Sequence, residues 1–207
     1  EGKEALLAKA IKKVNADIVV LQEFESSEYI RAIAEKHFPE LGYQFYAGNE
    51  SDGWYMNVVI MSKVPLGTMY SYGSLYTPVP GIMDEDGNEE TQTNLNTRMW
   101  SIDVFPTEAY EFNLTGVHLK AGRGERNEQM RRGQIDFLKH QFARFIKEDK
   151  KANLVMMGDF NCGIPFEDSE TKSFYATHLF QQLLRDGWVD AWRSRNAKAR
   201  EFSWIST

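Results

Sequence analysis

The stretch NLVMMGDFN, residues 153–161, decides the fold of this chain. It starts as a short apolar run and ends with a carboxylate and a carboxamide two positions apart, at Asp159 and Asn161. A short apolar run bounded by glycine and polar residues predicts a buried strand. Because Gly158 marks the point where this strand leaves its sheet, Asp159 and Asn161 are expected at the carboxyl end. In open α/β sheets this is the edge where ligands bind.

Asp159 and Asn161 allow two interpretations, and this segment alone leaves both open. Side chains alternate between the two faces of a strand, so both groups would point to one side and face one phosphate, water or metal. Asp and Asn are also common turn residues. In that case the pair only closes the strand.

Composition excludes several classes of protein. At 207 residues, with ordinary hydrophobic and charged fractions, the chain is expected to be one globular domain, residues 1–207, with a sizeable core. A net charge of −6 argues against binding of nucleic acid through a broad basic surface, although a local cluster of basic residues can still bind it. The single cysteine, Cys162, excludes an internal disulfide framework.

The same composition sets the expectations about membranes and partners. No apolar run approaches membrane-spanning length, so we expect no transmembrane segment. No stable protein partner is implied, and we expect a monomer. The compartment stays open between secreted and cytoplasmic.

Helix and strand patterns alternate along the chain, which is typical of α/β proteins. The predicted helices cover residues 6–14, 26–38, 125–147 and 174–184, and the predicted strands cover 17–23, 43–46, 56–61, 97–104, 111–119 and 202–204. Residues 105–108 are expected to turn between two antiparallel strands, which predicts a mixed or antiparallel sheet. Residues 67–96 lose clear periodicity and are expected to be a β-rich elaboration at the sheet edge, with a hairpin turn at Asp86–Gly87.

Other polar residues at predicted strand ends are candidates for a site, each with a structural alternative. Glu23 offers a carboxylate to a hard cation, or simply leaves its strand for solvent. His118 is a candidate general acid or hydrogen-bond donor to a phosphate. A histidine in this position is more often a structural residue at the edge of the core. The arginines of the long helix fit a solvated charged face, with one of them near His118 as a possible substrate contact. Asp190 is expected to pair with Arg193 and fix a loop, with an approach to the site as the alternative.

The order of the motifs along the chain is more specific than any of them. The segments are LQE at 21–23, NVVIMSK at 57–63, GVHLKAG at 116–122, GDFN at 158–161, DAWR at 190–193 and FSW at 202–204. This succession resembles the endonuclease/exonuclease/phosphatase superfamily, the group related to pancreatic deoxyribonuclease I. The resemblance spans nearly the whole chain.

The resemblance implies a fold and a reaction. The fold is a four-layered α/β sandwich, with two mixed β-sheets packed face to face, helices outside and the site at one end. The reaction is hydrolysis of phosphodiesters or phosphomonoesters with a divalent cation, usually Mg²⁺, with Mn²⁺ or Ca²⁺ as alternatives. The implied partner is nucleic acid or another phosphodiester.

The resemblance also implies a role for each matching residue. Glu23 would ligate the metal, and Asp159 would orient or deprotonate the attacking water. Asn161 would hold a phosphate oxygen, while His118 would stabilise a phosphorane-like transition state or protonate the leaving oxygen. The remaining matches are Arg98 as a contact to the substrate phosphate, Asn57 as a looser match near the substrate, and Ser203 and Asp190 as supporting residues.

Two parts of the superfamily pattern have no match in this sequence. They are a first strand with a metal-binding asparagine and a last strand with an Asp-His pair, and none of the four histidines stands at the position of the latter. We therefore expect a trimmed piece of a longer protein, incomplete at both ends, whose residues 1–207 alone are catalytically poor.

The sequence leaves three possible functions. A nuclease is the first expectation, because the continuation after His118 is similar to nuclease members of the superfamily. A lipid or inositol-phosphate phosphoesterase is the second. A catalytically inactive binding module on the same scaffold is the alternative from another class, since fold does not fix function.

Overall fold

The computed structural model describes residues 2–50, 56–72, 77–92, 98–122, 124–162 and 176–196. The chain divides into two compact units, Glu1–Asn161 and Cys162–Thr207. That residues 1–207 form a single domain stays a prediction. Among the described residues, no helix combines the length and apolar character needed to cross a membrane.

The first unit contains nine strands, three α-helices and one short 3₁₀ helix among its described residues. In chain order they are α1 Lys3–Val14, β1 Ile18–Phe24, α2 Ser27–His37, the 3₁₀ helix Pro39–Leu41, β2 Phe45–Gly48, β3 Asn57–Ser62, β4 Leu66–Ser71, β5 Thr77–Met83, β6 Glu89–Gln92, β7 Met99–Thr107, β8 Tyr110–His118, α3 Glu125–Glu148 and β9 Leu154–Asp159. The second unit contains α4 Ala176–Arg185 and α5 Ala191–Arg195.

The first two helices begin and end where local chemistry requires. Asn15 closes α1 in the left-handed conformation, with φ of 48°, and its N–H donates to the Ile11 carbonyl. Asparagine tolerates this conformation better than most residues. Ser26 caps α2, since its hydroxyl oxygen accepts the Tyr29 N–H at 3.0 Å.

Two sheets form the body of the first unit. The first has the order β1-β3-β2, with both pairs antiparallel. The second has the order β4-β7-β8-β9; its first three strands are antiparallel, and β9 runs parallel to β8. The second sheet is therefore mixed, as the pattern of 97–119 predicts. Strands β5 and β6 form a separate hairpin whose turn contains Asp86 and Gly87, which confirms that prediction.

Alternation along β3 explains how the layers stack. Val58 and Ile60 pack against Trp100, Ile102 and Leu114 of the second sheet. Val59 and Met61 point the other way, into a cluster with α1 and α2. All six residues of β3 are buried, so this strand is covered on both faces.

The outer face of the second sheet carries α3. Tyr70 packs edge-on against Phe145 with ring centroids 4.9 Å apart, and Tyr72 packs against Phe137 at 5.2 Å. The layers of the first unit are thus helices, sheet, sheet and helix. This is the sandwich that the superfamily resemblance implies.

Two sequence-based boundaries are wrong. The turn expected at 105–108 lies at Glu108–Ala109, because β7 continues to Thr107 through an irregularity in its pairing with β8 between Val104 and Thr107. Strand β2 covers Phe45–Gly48 rather than 43–46, since the 3₁₀ helix and the left-handed Gly42 delay its start. The strand expected at 202–204 lies outside the described residues.

Candidate active site

The end of β1 presents Glu23 through a bulge. The register of β1 on β3 shifts between Leu21 and Phe24, and Glu23 has a left-handed φ of 55°. A non-glycine residue pays roughly 1–3 kcal/mol for such backbone strain, which is concentrated at functional sites. The carboxylate is 62% exposed, so the bulge directs it outwards instead of into the core.

The bulge is supported from the other sheet. Val58 has no Cα partner in the pairings of β3 with β1 and β2, because the register skips it. Its carbonyl oxygen instead accepts the indole N–H of Trp100 at 2.9 Å. Trp100 is fully buried, so one side chain both fills the core and pairs the carbonyl opposite the bulge.

Asn57 lies directly beneath the same bulge. Its side chain is fully buried and its Nδ2 donates to the Glu25 carbonyl at 2.8 Å. This contact holds the backbone that follows Glu23. The predicted contact of Asn57 with a substrate phosphate stays a prediction, and the contact that the structure shows is with the protein itself.

His118 ends β8 as a buried imidazole. Only 1% of its surface is exposed, and its Nε2 lies 3.7 Å from Glu23 Oε1. Its backbone N–H donates to the Arg98 carbonyl at 2.7 Å. Nδ1 is buried, and it makes no hydrogen bond with any described residue. This arrangement favours the tautomer with its proton on Nε2, the nitrogen that faces Glu23.

Arg98 precedes β7 and lies partly buried beside this imidazole. Burial lowers the pKa of its guanidinium, and the charge of Glu23 opposes that shift. Within the described part of the chain, no hydrogen bond or salt bridge ties down the Arg98 side chain. A guanidinium is the side chain best suited to bind an anionic ligand through several N–H donors.

Gly158 lets β9 approach β8 closely, so that Asp159 lies beside His118. His118 and Asp159 are Cα partners in the parallel pair, and the Leu119 N–H donates to the Asp159 carbonyl at 2.9 Å. Gly158 has φ of 139°, and a Cβ there would lie 2.0 Å from the Val117 carbonyl oxygen. Only glycine fits this approach.

Asn161 completes a turn immediately after β9. Its N–H donates to Asp159 Oδ1 at 2.7 Å, and its Nδ2 donates to the Leu119 carbonyl at 2.9 Å. The alternation expected of a strand does not extend to Asn161, because β9 ends at Asp159 and Asn161 has a left-handed φ of 49°. The pair thus forms a turn that closes the strand, and a contact of Asp159 and Asn161 with a phosphate, water or metal stays a prediction.

Electrostatics ties four of these side chains together. Burial is the largest cause that lowers the pKa of His118, and the positive charge of Arg98 lowers it further. Asp159 and Glu23 both act in the opposite direction. Two carboxylates and one guanidinium thus share one buried imidazole, although they lie far apart in the sequence.

Glu23 supplies the exposed carboxylate that a loosely held cation would use. Among the residues that the structure describes, no group of three or more His, Cys, Asp or Glu side chains is placed to hold a metal ion. Magnesium usually takes one or two carboxylates and completes its shell with water and substrate phosphate. The exposed carboxylate of Glu23 at the rim fits that mode of binding.

The two supporting residues belong to the second unit or lie outside the described residues. Asp190 immediately precedes α5, and its carbonyl accepts the Ser194 N–H at 2.9 Å. The side chain of Arg193 and all of Ser203 lie outside the described residues. The supporting roles of Asp190 and Ser203 therefore stay predictions.

Sequence reasoning missed a buried polar cluster on α3. Glu128, Arg131 and Gln134 are at most 3% exposed, whereas the helix arginines fit a solvated face on sequence grounds. For Arg131 that interpretation is wrong. The available signal was a glutamate and an arginine three positions apart, which places them on one face of the helix.

Comparison with known proteins decides the family. A model of the Endonuclease/Exonuclease/phosphatase family matches residues 2–200. The chain belongs to this family. No curated protein matches its sequence.

Solved structures support the fold of this family member. An AP endonuclease from Archaeoglobus fulgidus matches at 16% identity with a TM-score of 0.62, over 99% of this chain and 73% of that one. An endonuclease/exonuclease/phosphatase from Beutenbergia cavernae DSM 12333 matches at 18% identity with a TM-score of 0.61, over 92% of this chain and 50% of that one. TDP2 from C. elegans matches at 17% identity with a TM-score of 0.52, over 80% of this chain and 45% of that one. The chain thus spans about half the length of two of these three structures.

Proposed function

We propose that this family member contributes the hydrolytic site of a divalent-metal-dependent phosphodiesterase that acts on nucleic acid. The observation that carries the proposal is the convergence of Glu23, Arg98 and Asp159 on the buried imidazole of His118. Titratable groups that meet at one rim and shift the pKa of a buried member are typical of functional sites. The choice of nucleic acid rests on the similarity of the KAG continuation after His118 to nuclease members of the superfamily.

Hydrolysis of a phosphodiester requires that negative charge be neutralised as it builds on the phosphoryl oxygens. Arg98 lies beside the imidazole, and its guanidinium would donate to a nonbridging oxygen. A bound cation would lie at Glu23 and would supply Lewis acidity towards the phosphoryl oxygen. Both positive charges would favour the anionic substrate that the protein's net charge of −6 otherwise repels.

Asp159 would orient the attacking water. Its Oδ1 accepts the Asn161 N–H, which fixes the rotation of the carboxylate and leaves Oδ2 to accept a proton or a hydrogen bond from water. The Asn161 Nδ2 donates to the Leu119 carbonyl, which fixes the carboxamide that would hold a phosphate oxygen.

The lowered pKa of His118 separates its two implied roles. A neutral imidazole at neutral pH donates a hydrogen bond through Nε2–H but is a poor source of a full proton. The direction of this pKa shift supports stabilisation of the charged transition state over protonation of the leaving oxygen.

The test uses the full 207-residue chain at high enzyme concentration under single-turnover conditions, because we expect the chain alone to be a slow catalyst. Plasmid DNA, RNA, sphingomyelin and inositol phosphates are incubated with Mg²⁺ or with EDTA. We expect EDTA-sensitive cleavage of a nucleic acid. Cleavage of only a lipid or an inositol phosphate would replace the substrate, and binding of nucleic acid without turnover would favour an inactive module.

Two matched variants connect the activity to the site. Asp159→Asn keeps the hydrogen bond from Asn161 but removes the base, so the rate should fall about 100-fold or more. Asp136→Asn changes an exposed aspartate on α3 and should leave the rate unchanged. A near-normal rate in Asp159→Asn would remove this residue from the mechanism.

A further inference from the structure

Helix α3 buries a charged cluster that the reaction does not use directly. Glu128, Arg131 and Gln134 are 1%, 3% and 2% exposed. Burial of an ion pair seldom increases stability relative to apolar residues, because desolvation offsets the attraction between the charges. The cluster therefore calls for a role beyond stability.

Two of these side chains contact the segment that follows His118, and the third fixes one of the two. Arg131 Nη1 donates to the Lys120 carbonyl at 2.6 Å and to the Gly122 carbonyl at 2.9 Å. Glu128 Oε2 accepts from Arg131 Nε and Nη2 at 3.3 and 3.1 Å, which fixes the guanidinium. Gln134 Oε1 accepts the Lys120 N–H at 2.9 Å.

One peptide group joins this cluster to the site. The Lys120 N–H and the Leu119 carbonyl belong to the same planar unit. Gln134 accepts from its N–H, and Asn161 Nδ2 donates to its carbonyl oxygen at 2.9 Å. Because the unit is rigid, a rotation that breaks one of these hydrogen bonds also displaces the other.

The neighbouring peptides have partners in the site as well. The Leu119 N–H donates to the Asp159 carbonyl, and the His118 N–H donates to the Arg98 carbonyl. The chain from His118 to Lys120 is thus fixed to β9 and to the start of β7 on one side and to α3 on the other.

We propose that Gln134, held in place beside the Glu128–Arg131 pair, is a positioning residue that sets the orientation of Asn161 through the Leu119–Lys120 peptide. Its catalytic consequence rests on the proposed function. Its structural consequence does not, because the position of the Asn161 carboxamide is measurable in a protein without activity.

The experiment is NMR on the full 207-residue chain with three single variants. Gln134→Met keeps the size of the side chain but removes the acceptor. Gln134→Glu restores an acceptor oxygen at the same place. Gln141→Met makes the same chemical change two helical turns along α3, where Gln141 Oε1 accepts a hydrogen bond from the exposed Arg144 at 3.1 Å.

In Gln134→Met we expect hydrogen exchange of the Lys120 amide to accelerate about fivefold or more, as for the loss of one hydrogen bond. The Asn161 side-chain amide resonances should shift as well. In a chain with measurable phosphodiesterase activity, kcat should fall while KM stays the same. Gln134→Glu should reverse these changes, and Gln141→Met should show none of them.

Unchanged Lys120 exchange and unchanged Asn161 resonances in Gln134→Met would overturn the proposal, as would a failure of Gln134→Glu to restore them. If Gln134→Met does not fold, Gln134→Asn shortens the side chain by one methylene and is subject to the same criteria. NMR changes as expected in a chain that hydrolyses no phosphodiester would uphold the positioning role and refute the proposed function instead.

Discussion

Replacement of Gly158 by alanine is expected to displace the strand end that carries Asp159. The new Cβ would lie 2.0 Å from the Val117 carbonyl oxygen, 2.9 Å from its carbonyl carbon and 3.0 Å from its nitrogen. All three atoms belong to the backbone of β8, so no side chain can move aside to relieve the contact. Strand β9 must shift relative to His118 or lose its pairing with β8.

The magnitude follows from two costs. A non-glycine residue in this positive-φ region costs roughly 1–3 kcal/mol. Relief of an overpacked contact by backbone movement typically costs about 1–3 kcal/mol more. Gly158→Ala should therefore reduce the free energy of unfolding by roughly 2–6 kcal/mol, which is a large part of the stability of an ordinary domain.

Gly42→Ala is the matched control in a urea unfolding assay. Gly42 has φ of 77°, but the space around it is open. It therefore measures the conformational cost alone, about 1–2 kcal/mol. A Gly158→Ala protein no less stable than Gly42→Ala would refute the argument that the close approach of β9 to β8 requires glycine.

Three further perturbations test separate parts of the site. Because burial lowers the pKa of His118 below that of the unfolded chain, the unfolded state binds more protons than the folded state as the pH falls below about 6.5. The free energy of unfolding should therefore fall as the pH decreases through this range. In urea titrations at pH 5–8, His118→Gln should make the free energy of unfolding depend less steeply on pH. An equal slope in the variant would contradict this. Glu23→Asn should raise the unfolding free energy by up to about 1 kcal/mol, because asparagine tolerates the left-handed backbone, while metal-dependent hydrolysis is lost. A less stable Glu23→Asn protein would show that the bulge is unstrained. Trp100→Phe should cost about 1–3 kcal/mol in thermal unfolding, since the buried Val58 carbonyl loses its partner, and a neutral effect would show that another donor replaces the indole.

The elements that the sequence predicts well are those with a strong local signal. Strand β3 is a continuous apolar run between polar residues, and α2 has both a serine cap and a proline after its end. These signals arise within one segment, so they do not depend on what packs against it. The boundaries at β2 and at the end of β7 were missed because a 3₁₀ turn and a strand irregularity are set by tertiary pairing.

The candidate site was predictable in its residues but not in its geometry. Glu23, His118 and Asp159 stand at the ends of predicted strands, and the order of the motifs along the chain indicated that they belong together. The bulge at Glu23 and the left-handed Asn161 depend on contacts with Trp100 and Leu119, which are distant in sequence. No local pattern encodes such contacts.

The burial of Arg131 is a different kind of failure. A charged residue on a helix is usually solvated, but Arg131 is an interior residue with partners in Glu128 and in the carbonyls of Lys120 and Gly122. Those acceptors are within reach because residues 120 and 122 contact α3. The hydrophobic periodicity of α3 does not predict these contacts, because they depend on the segment that precedes the helix.

Titration of the His118 imidazole by NMR tests most directly whether the distant charges meet at one rim. Glu23→Gln and Asp159→Asn should each lower the pKa of His118 further, because each removes a negative charge that stabilises the imidazolium. Arg98→Gln should raise it, and Asp136→Asn on α3 should leave it unchanged. If the Glu23 and Asp159 variants titrate like the unmodified chain, the two carboxylates do not share the imidazole, and the proposed hydrolytic site is contradicted.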